Sequence, residues 1–140
     1  MIVLDTRVIS EIFRPRPEPR VIACLESLTD GVAITTITLA ELLAGVRRLP
    51  DRRRKEELQV AIEGAIQPYR DTRSLLSFDE AAAAEYAEVL AVREQAGLPI
   101  SMADAQIAAI CLANRAACTT RNTGDFALTG VAIVDPWAAS

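Results

Sequence analysis

Four carboxylates, Asp5, Glu41, Asp104 and Asp125, are the candidates for chemistry in this chain of 140 residues. There is no histidine, which excludes Ser-His-Asp and Cys-His catalysis, histidine general bases and most catalytic zinc sites. Any reaction must rest on carboxylates, hydroxyls, amides and cations. Several acids in one pocket without histidine suit a hard divalent cation, Mg²⁺ or Mn²⁺, which prefers oxygen ligands and keeps several waters. Such an ion activates water and stabilises charge on a phosphate, so phosphodiester hydrolysis is the natural reaction.

The elements must bring these acids together. Ile2 to Leu4 reads as a short buried strand ending at Asp5. Helices are predicted over Thr6 to Phe13, Pro19 to Leu28, Leu39 to Leu49, Asp51 (as cap) to about Ile66, Glu80 to Gln95 and Met102 to Arg115. Further strands are predicted over Val32 to Thr35, Ser74 to Phe78, Ala117 to Thr119 and Val131 to Val134. Strands alternating with helices imply an α/β fold with a short, mostly parallel central sheet flanked by helices. Nothing divides the chain, so residues 1–140 read as a single domain. In such sheets ligands sit beyond the carboxyl ends of the strands. Asp5 ends the first strand, and Asp125 follows the fourth. Glu41 and Asp104 are expected in the first turns of their helices.

Each acid also has a structural reading. Thr38-x-x-Glu41 and Ser101-x-x-Asp104 fit a helix capping pattern, and acids in a first turn suit the helix dipole. Ser77-x-x-Glu80 fits the same pattern without any chemistry being assigned to it.

Four blocks carry a family resemblance. Leu4-Asp5-Thr6-Arg7-Val8-Ile9-Ser10-Glu11 resembles the first motif of VapC and FitB-like PIN-domain nucleases. Thr36-Ile37-Thr38-Leu39-Ala40-Glu41-Leu42 is similar to the second, and Ser101-Met102-Ala103-Asp104-Ala105-Gln106-Ile107-Ala108-Ala109 to the third. Thr120-Arg121-Asn122-Thr123-Gly124-Asp125-Phe126 resembles the fourth, and the ending Val134-Asp135-Pro136-Trp137 also fits. The resemblance implies a PIN-like fold and a metal-dependent endoribonuclease, the toxin of a toxin–antitoxin pair. It implies Asp5 and Asp104 as the main metal ligands. Glu41 binds through water or orients the attacking water, and Asp125 completes the pocket. Thr120 and Asn122 are implied to hydrogen-bond the metal's waters or the scissile phosphate. The implied partners are RNA, a VapB-type antitoxin that docks a helix, and a second copy of the chain in a homodimer.

One position departs from that pattern. The family usually has asparagine where this chain has Arg7, and arginine only donates and stays charged. Three readings stand: Arg7 competes with the metal for carboxylates, holds an RNA phosphate, or lies folded away on the surface. The first leaves an alternative function, a catalytically impaired PIN fold that binds RNA or a partner. A haloacid-dehalogenase-type phosphatase is a weaker fit, because its second aspartate falls at Arg7. A receiver domain also has an acidic pocket, but this chain has no lysine in the place it needs near the end of the sheet.

Charge is distributed unevenly. The net charge is −4, yet Arg47, Arg48, Arg52, Arg53, Arg54 and Lys55 lie close together. RNA phosphate, an acidic stretch of the antitoxin, or an ordinary solvated face offset by Glu56 and Glu57 each accounts for them. Cys24, Cys111 and Cys118 are an odd count without Cys-x-x-Cys spacing and read as buried reduced thiols. The N-terminus has no signal-peptide pattern and no apolar run approaches a membrane span, so a cytoplasmic protein is expected.

Overall fold

The computed structural model describes residues 1–29 and 31–138. Its strands are β1 (Ile2–Leu4), β2 (Val32–Thr35), β3 (Leu75–Leu76), β4 (Ala117–Thr119) and β5 (Ile133–Val134). Its helices are α1 (Thr6–Ile12), α2 (Pro19–Glu26), α3 (Thr36–Arg47), α4 (Arg53–Ile66), α5 (Glu80–Gln95) and α6 (Met102–Ala113). The strands form one sheet in the order β3-β2-β1-β4-β5, and every pairing is parallel.

Successive strand residues point to opposite faces, and here both faces are covered. Val3, Ala33, Leu76 and Cys118 pack against Ala82 of α5, Ile107 to Cys111 of α6, and Phe126. Their neighbours Leu4 and Ile34 turn to the other side, against Val8, Ile9, Val21, Leu42, Val46, Ile62 and Ile66 of α1 to α4. Double coverage explains why the strands carry almost no polar residue until their carboxyl ends. There the buried residues become polar: Asp5 after β1, Thr35 ending β2, and Thr119 and Thr120 at the end of β4.

The chain starts in the middle of the sheet, winds outward through β2 and β3, then returns to β4 and β5 on the other side of β1. The direction of winding therefore reverses between β1 and β4. Such a switch point leaves a crevice at the carboxyl ends of the two strands. Asp5 and Thr120 sit at its floor, one on each strand end.

Several boundaries differ from the sequence reading. α3 starts at Thr36 rather than Leu39, because Thr35 caps it: its Oγ1 accepts the Thr38 N–H at 3.0 Å. Glu41 therefore lies in the second turn, and Thr38 is not a cap. Before α5 the cap is Asp79, accepting from the Ala82 N–H, so Ser77-x-x-Glu80 is not a capping box either. Asp51 pairs with Lys55 at 3.1 Å instead of capping α4, whose N-cap is Arg52. β3 is two residues long, since only Leu75 and Leu76 find partners, in Ile34 and Thr35. α6 stops at Ala113, with Asn114 as C-cap and Arg115 in the left-handed region. All three cysteines are free thiols; Cys111 and Cys118 are buried and Cys24 is half-buried. The neighbouring Cys111 sulfur, then burial, pushes the Cys118 thiol well above its usual range.

Candidate active site

Asp5 occupies the N-cap position of α1, yet its carboxylate caps nothing. The backbone does that work: its carbonyl accepts the Val8 and Ile9 N–H groups, and its N–H donates to Thr119 O. The side chain is left for other partners. Thr120 Oγ1 donates to Asp5 Oδ2 at 2.7 Å, while the Asn122 N–H donates to Thr120 Oγ1 at 3.1 Å. This relay fixes a fully buried carboxylate. Its second oxygen, Oδ1, is buried without any hydrogen-bond donor. A buried anionic oxygen without a partner is costly, and it marks where a cation gains most.

Asp104 reaches the same crevice from the opposite helix layer. Ser101 caps α6 by accepting the Asp104 N–H at 3.1 Å. The capping contact uses the Asp104 backbone; its carboxylate turns toward Arg7, with Oδ1 3.6 Å from Arg7 Nη1. Burial foremost raises the Asp104 pKa above the usual carboxylate value. Arg7 opposes that shift, while Asp5 and Asp125 add to it. All three acids thus share one electrostatic field.

Arg7 stands between the two buried acids. Its Nη1 donates to Asp5 Oδ2 at 3.2 Å and lies near Asp104, while its side chain stays about half exposed. Burial pulls its pKa down, but Asp5 and then Asp104 outweigh it and hold the guanidinium above its ordinary value. Of the three readings of Arg7, the one that turns it onto the carboxylates matches this geometry, with contacts to Asp5 and Asp104.

The other two acids are joined less directly. The Thr6 hydroxyl lies 2.6 Å from Glu41 Oε1 and 3.0 Å from Thr38 Oγ1. Its single proton goes to the carboxylate, the stronger acceptor. Glu41 is exposed, so it lines the mouth of the crevice rather than its floor. Asp125 sits in a 3-10 turn, Thr123–Phe126, and accepts from Asn122 Nδ2 at 2.8 Å. Thr120 and Asn122, expected to meet waters or phosphate, here orient Asp5 and Asp125. Among the described residues no three acid or thiol side chains form a ready-made metal cage. The donor set still fits a hard cation of the Mg²⁺ type, which needs one or two carboxylates and fills its shell with water. Asp5 and Asp104, both buried and both touched by Arg7, are the carboxylates placed to serve as such a pair.

A residue that sequence reasoning missed holds the far wall. Arg93 of α5 is 2% exposed. Its guanidinium donates to Gly124 O at 3.1 Å, Ala127 O at 2.8 Å and Pro99 O at 2.7 Å. Gly124 and Ala127 bracket Asp125, and Pro99 precedes the cap of α6. One buried fork thereby ties the Asp125 turn to the segment that leads into Asp104. The available signal was its place on the buried face of α5, four residues after Val89 and eleven after Ala82.

An all-parallel sheet with a buried acid pair at its switch point defines an α/β protein with a carboxylate centre. The model of the PIN domain family matches residues 2–131, and the chain belongs to that family. It is 41% identical over 138 residues to Toxin FitB of Neisseria gonorrhoeae, covering 98% of this chain and 99% of that protein. It is 36% identical over 138 residues to VapC ribonuclease Y4jK of Sinorhizobium fredii, covering 98% of each. The crystal structure of FitAcB from Neisseria gonorrhoeae superposes with a TM-score of 0.90, at 40% identity and 99% coverage of both chains.

Proposed function

We propose that this chain, as a single domain over residues 1–140, is a metal-dependent endoribonuclease and the toxin half of a toxin–antitoxin pair. The observation that carries the reading is the buried Asp5–Asp104 pair at the β1/β4 switch point, with Asp5 Oδ1 lacking any donor. The names of the relatives, a toxin and a ribonuclease, support it. Asp5 and Asp104 would hold Mg²⁺ or Mn²⁺ there. When bound, the ion supplies an acidified water and charge stabilisation at the phosphate. Thr120 would orient Asp5 through its hydroxyl. Glu41, exposed at the mouth and steadied by Thr6, is placed to orient a water. Asp125, held by Asn122, adds negative potential that favours the cation. To admit the ion, Arg7 must release two long contacts, and its half-exposed side chain has room to do so.

The partners follow from the same reading. RNA is the substrate. A VapB-type antitoxin fits the apolar groove between α1 and α4, lined by Ile9, Ile12, Phe13, Ile66 and Tyr69. A homodimer is the expected assembly. No described helix is long and apolar enough to cross a membrane.

Arg7 favours a second reading, a PIN fold that binds RNA or a partner while its own arginine suppresses cleavage. One assay separates the two: cleavage of single-stranded RNA in Mg²⁺ or Mn²⁺, repeated with excess EDTA. The nuclease reading expects cleavage that stops with EDTA. Cleavage that persists in EDTA contradicts the metal mechanism, and intact RNA with either metal selects the second reading.

A further inference from the structure

Arg7 has a second neighbourhood, away from the acids. With Ser10, Glu11, Arg14, Arg121 and Trp137 it lines an open cleft of about 380 Å³, within the roughly 300–1,000 Å³ that ligand sites span. The cleft is contiguous with the acid pair, because Arg7 belongs to both. Arg121 is also the residue after Thr120, which holds Asp5.

Three guanidiniums line this cleft, two of them already paired through one nitrogen: Arg7 with Asp5 and Asp104, and Arg14 with Glu11. Glu11 is buried and already engaged: its Oε2 accepts the Glu18 N–H at 3.0 Å, and its Oε1 lies 3.4 Å from Arg14 Nη1. Among the described residues Arg121 alone of the three makes no ion pair, so the cleft offers one unpaired guanidinium on an acidic protein. Arg14 and Arg121 are exposed. The Arg121 guanidinium lies over the Trp137 ring, 5.2 Å from its centroid. The Trp137 backbone N–H donates to Asp135 Oδ1 at 2.9 Å, and the ring packs in part on the core. The pair forms a shelf whose upper layer is an exposed guanidinium.

Cationic groups beside a flat aromatic–guanidinium shelf match one ligand chemistry, a phosphodiester strand with unstacked bases. Single-stranded RNA is recognised by stacking on aromatic rings and arginine planes together with phosphate neutralisation. We infer that this cleft is a nucleotide subsite for the RNA strand next to the acidic centre. A base stacks on the Arg121–Trp137 shelf, and Arg14 holds a neighbouring phosphate. The inference rests on the proposed RNA substrate and adds where the strand runs. An acidic protein segment would match the charge but has less use for the shelf.

Trp137 is the only tryptophan in the chain, so its fluorescence reports on this cleft alone. The test titrates the full chain, in EDTA so that nothing is cut, with a short labelled single-stranded RNA, reading label anisotropy and tryptophan emission together. The inference expects saturable tryptophan quenching that tracks anisotropy. Arg14→Ala and Arg121→Ala should each weaken binding by about tenfold and lower the salt slope by about 0.7. Trp137→Phe, which keeps a ring, should bind more tightly than Trp137→Ala. Arg53→Ala removes equal charge at the start of α4 and should change affinity least. RNA binding with unquenched tryptophan and unaltered Arg14 and Arg121 variants overturns the subsite and leaves the nuclease proposal standing. Quenching by poly-glutamate but not by RNA also overturns it, in favour of a protein segment. No RNA binding at all overturns the subsite and the RNA substrate together. Cleavage that survives Asp5→Asn sinks only the catalytic proposal, since cleft binding is measured without metal.

Discussion

Arg7 places a permanent cation within 3.2 Å of Asp5 and 3.6 Å of Asp104. Two unit charges about 4 Å apart interact by roughly 4 kcal/mol at an effective dielectric near 20. Solvent around a half-exposed guanidinium screens much of this. About 1.4 kcal/mol of surviving repulsion costs tenfold in metal affinity. Arg7→Asn should therefore tighten Mg²⁺ or Mn²⁺ binding by about tenfold in calorimetry and raise cleavage at limiting metal. Unchanged metal affinity would show that Arg7 moves aside freely. At the neighbouring position, Thr120→Val removes the 2.7 Å bond to Asp5 while keeping the shape. Partners that orient a metal ligand are typically worth 10–100-fold in affinity or activity. A loss of about that size in metal binding, with the fold intact by circular dichroism, is expected. Wild-type affinity in this variant would remove the relay from the account.

Helices and strand ends turn those side chains into a site, and Arg93 is the element-scale hinge of the arrangement. Arg93→Met leaves the carbonyls of Pro99, Gly124 and Ala127 without their donor. Hydrogen bonds from a charged donor are worth about 1.5–3 kcal/mol. We expect a stability loss of about 3 kcal/mol in urea denaturation, and reduced activity from a loosened Asp125 turn. An unchanged midpoint would show that the clamp is dispensable. Much of this scale was legible in the residues. β1, β2, β4 and α5 end where apolar runs meet turn or capping residues, and the structure agrees with those bounds. The start of α3 was not legible, because Thr35, Thr36 and Thr38 can all cap a helix and only packing selects Thr35. Asp51 was similarly ambiguous between capping α4 and pairing with Lys55. The sharing of Asp5 and Asp104 by Arg7 was one of three open readings, since spacing does not set a side chain's direction. Arg93 was hidden in an alanine-rich helix, where a charged residue ordinarily faces water.

The whole molecule is acidic, at a net charge of −4 and a pI of about 4.9. Global charge therefore argues against a polyanion partner, and local arrangement must decide. The run from Arg47 to Lys55 is partly neutralised, through Arg53 with Glu57 and Lys55 with Asp51. In the cleft, Arg7 and Arg14 are likewise paired, with Asp5 and Asp104 and with Glu11, and among the described residues Arg121 is not. Expression of the folded chain alone should slow growth, and co-expression of its antitoxin should restore it. Full growth with soluble chain present would support the cleavage-deficient reading. The most direct test compares RNA cleavage in Mn²⁺ by the wild-type chain, Asp5→Asn and Asp104→Asn, each checked for a native thermal transition. The account predicts that each substitution abolishes cleavage in a folded protein, because each removes one charge of the buried pair and keeps its shape. Wild-type rates in either folded variant would contradict it.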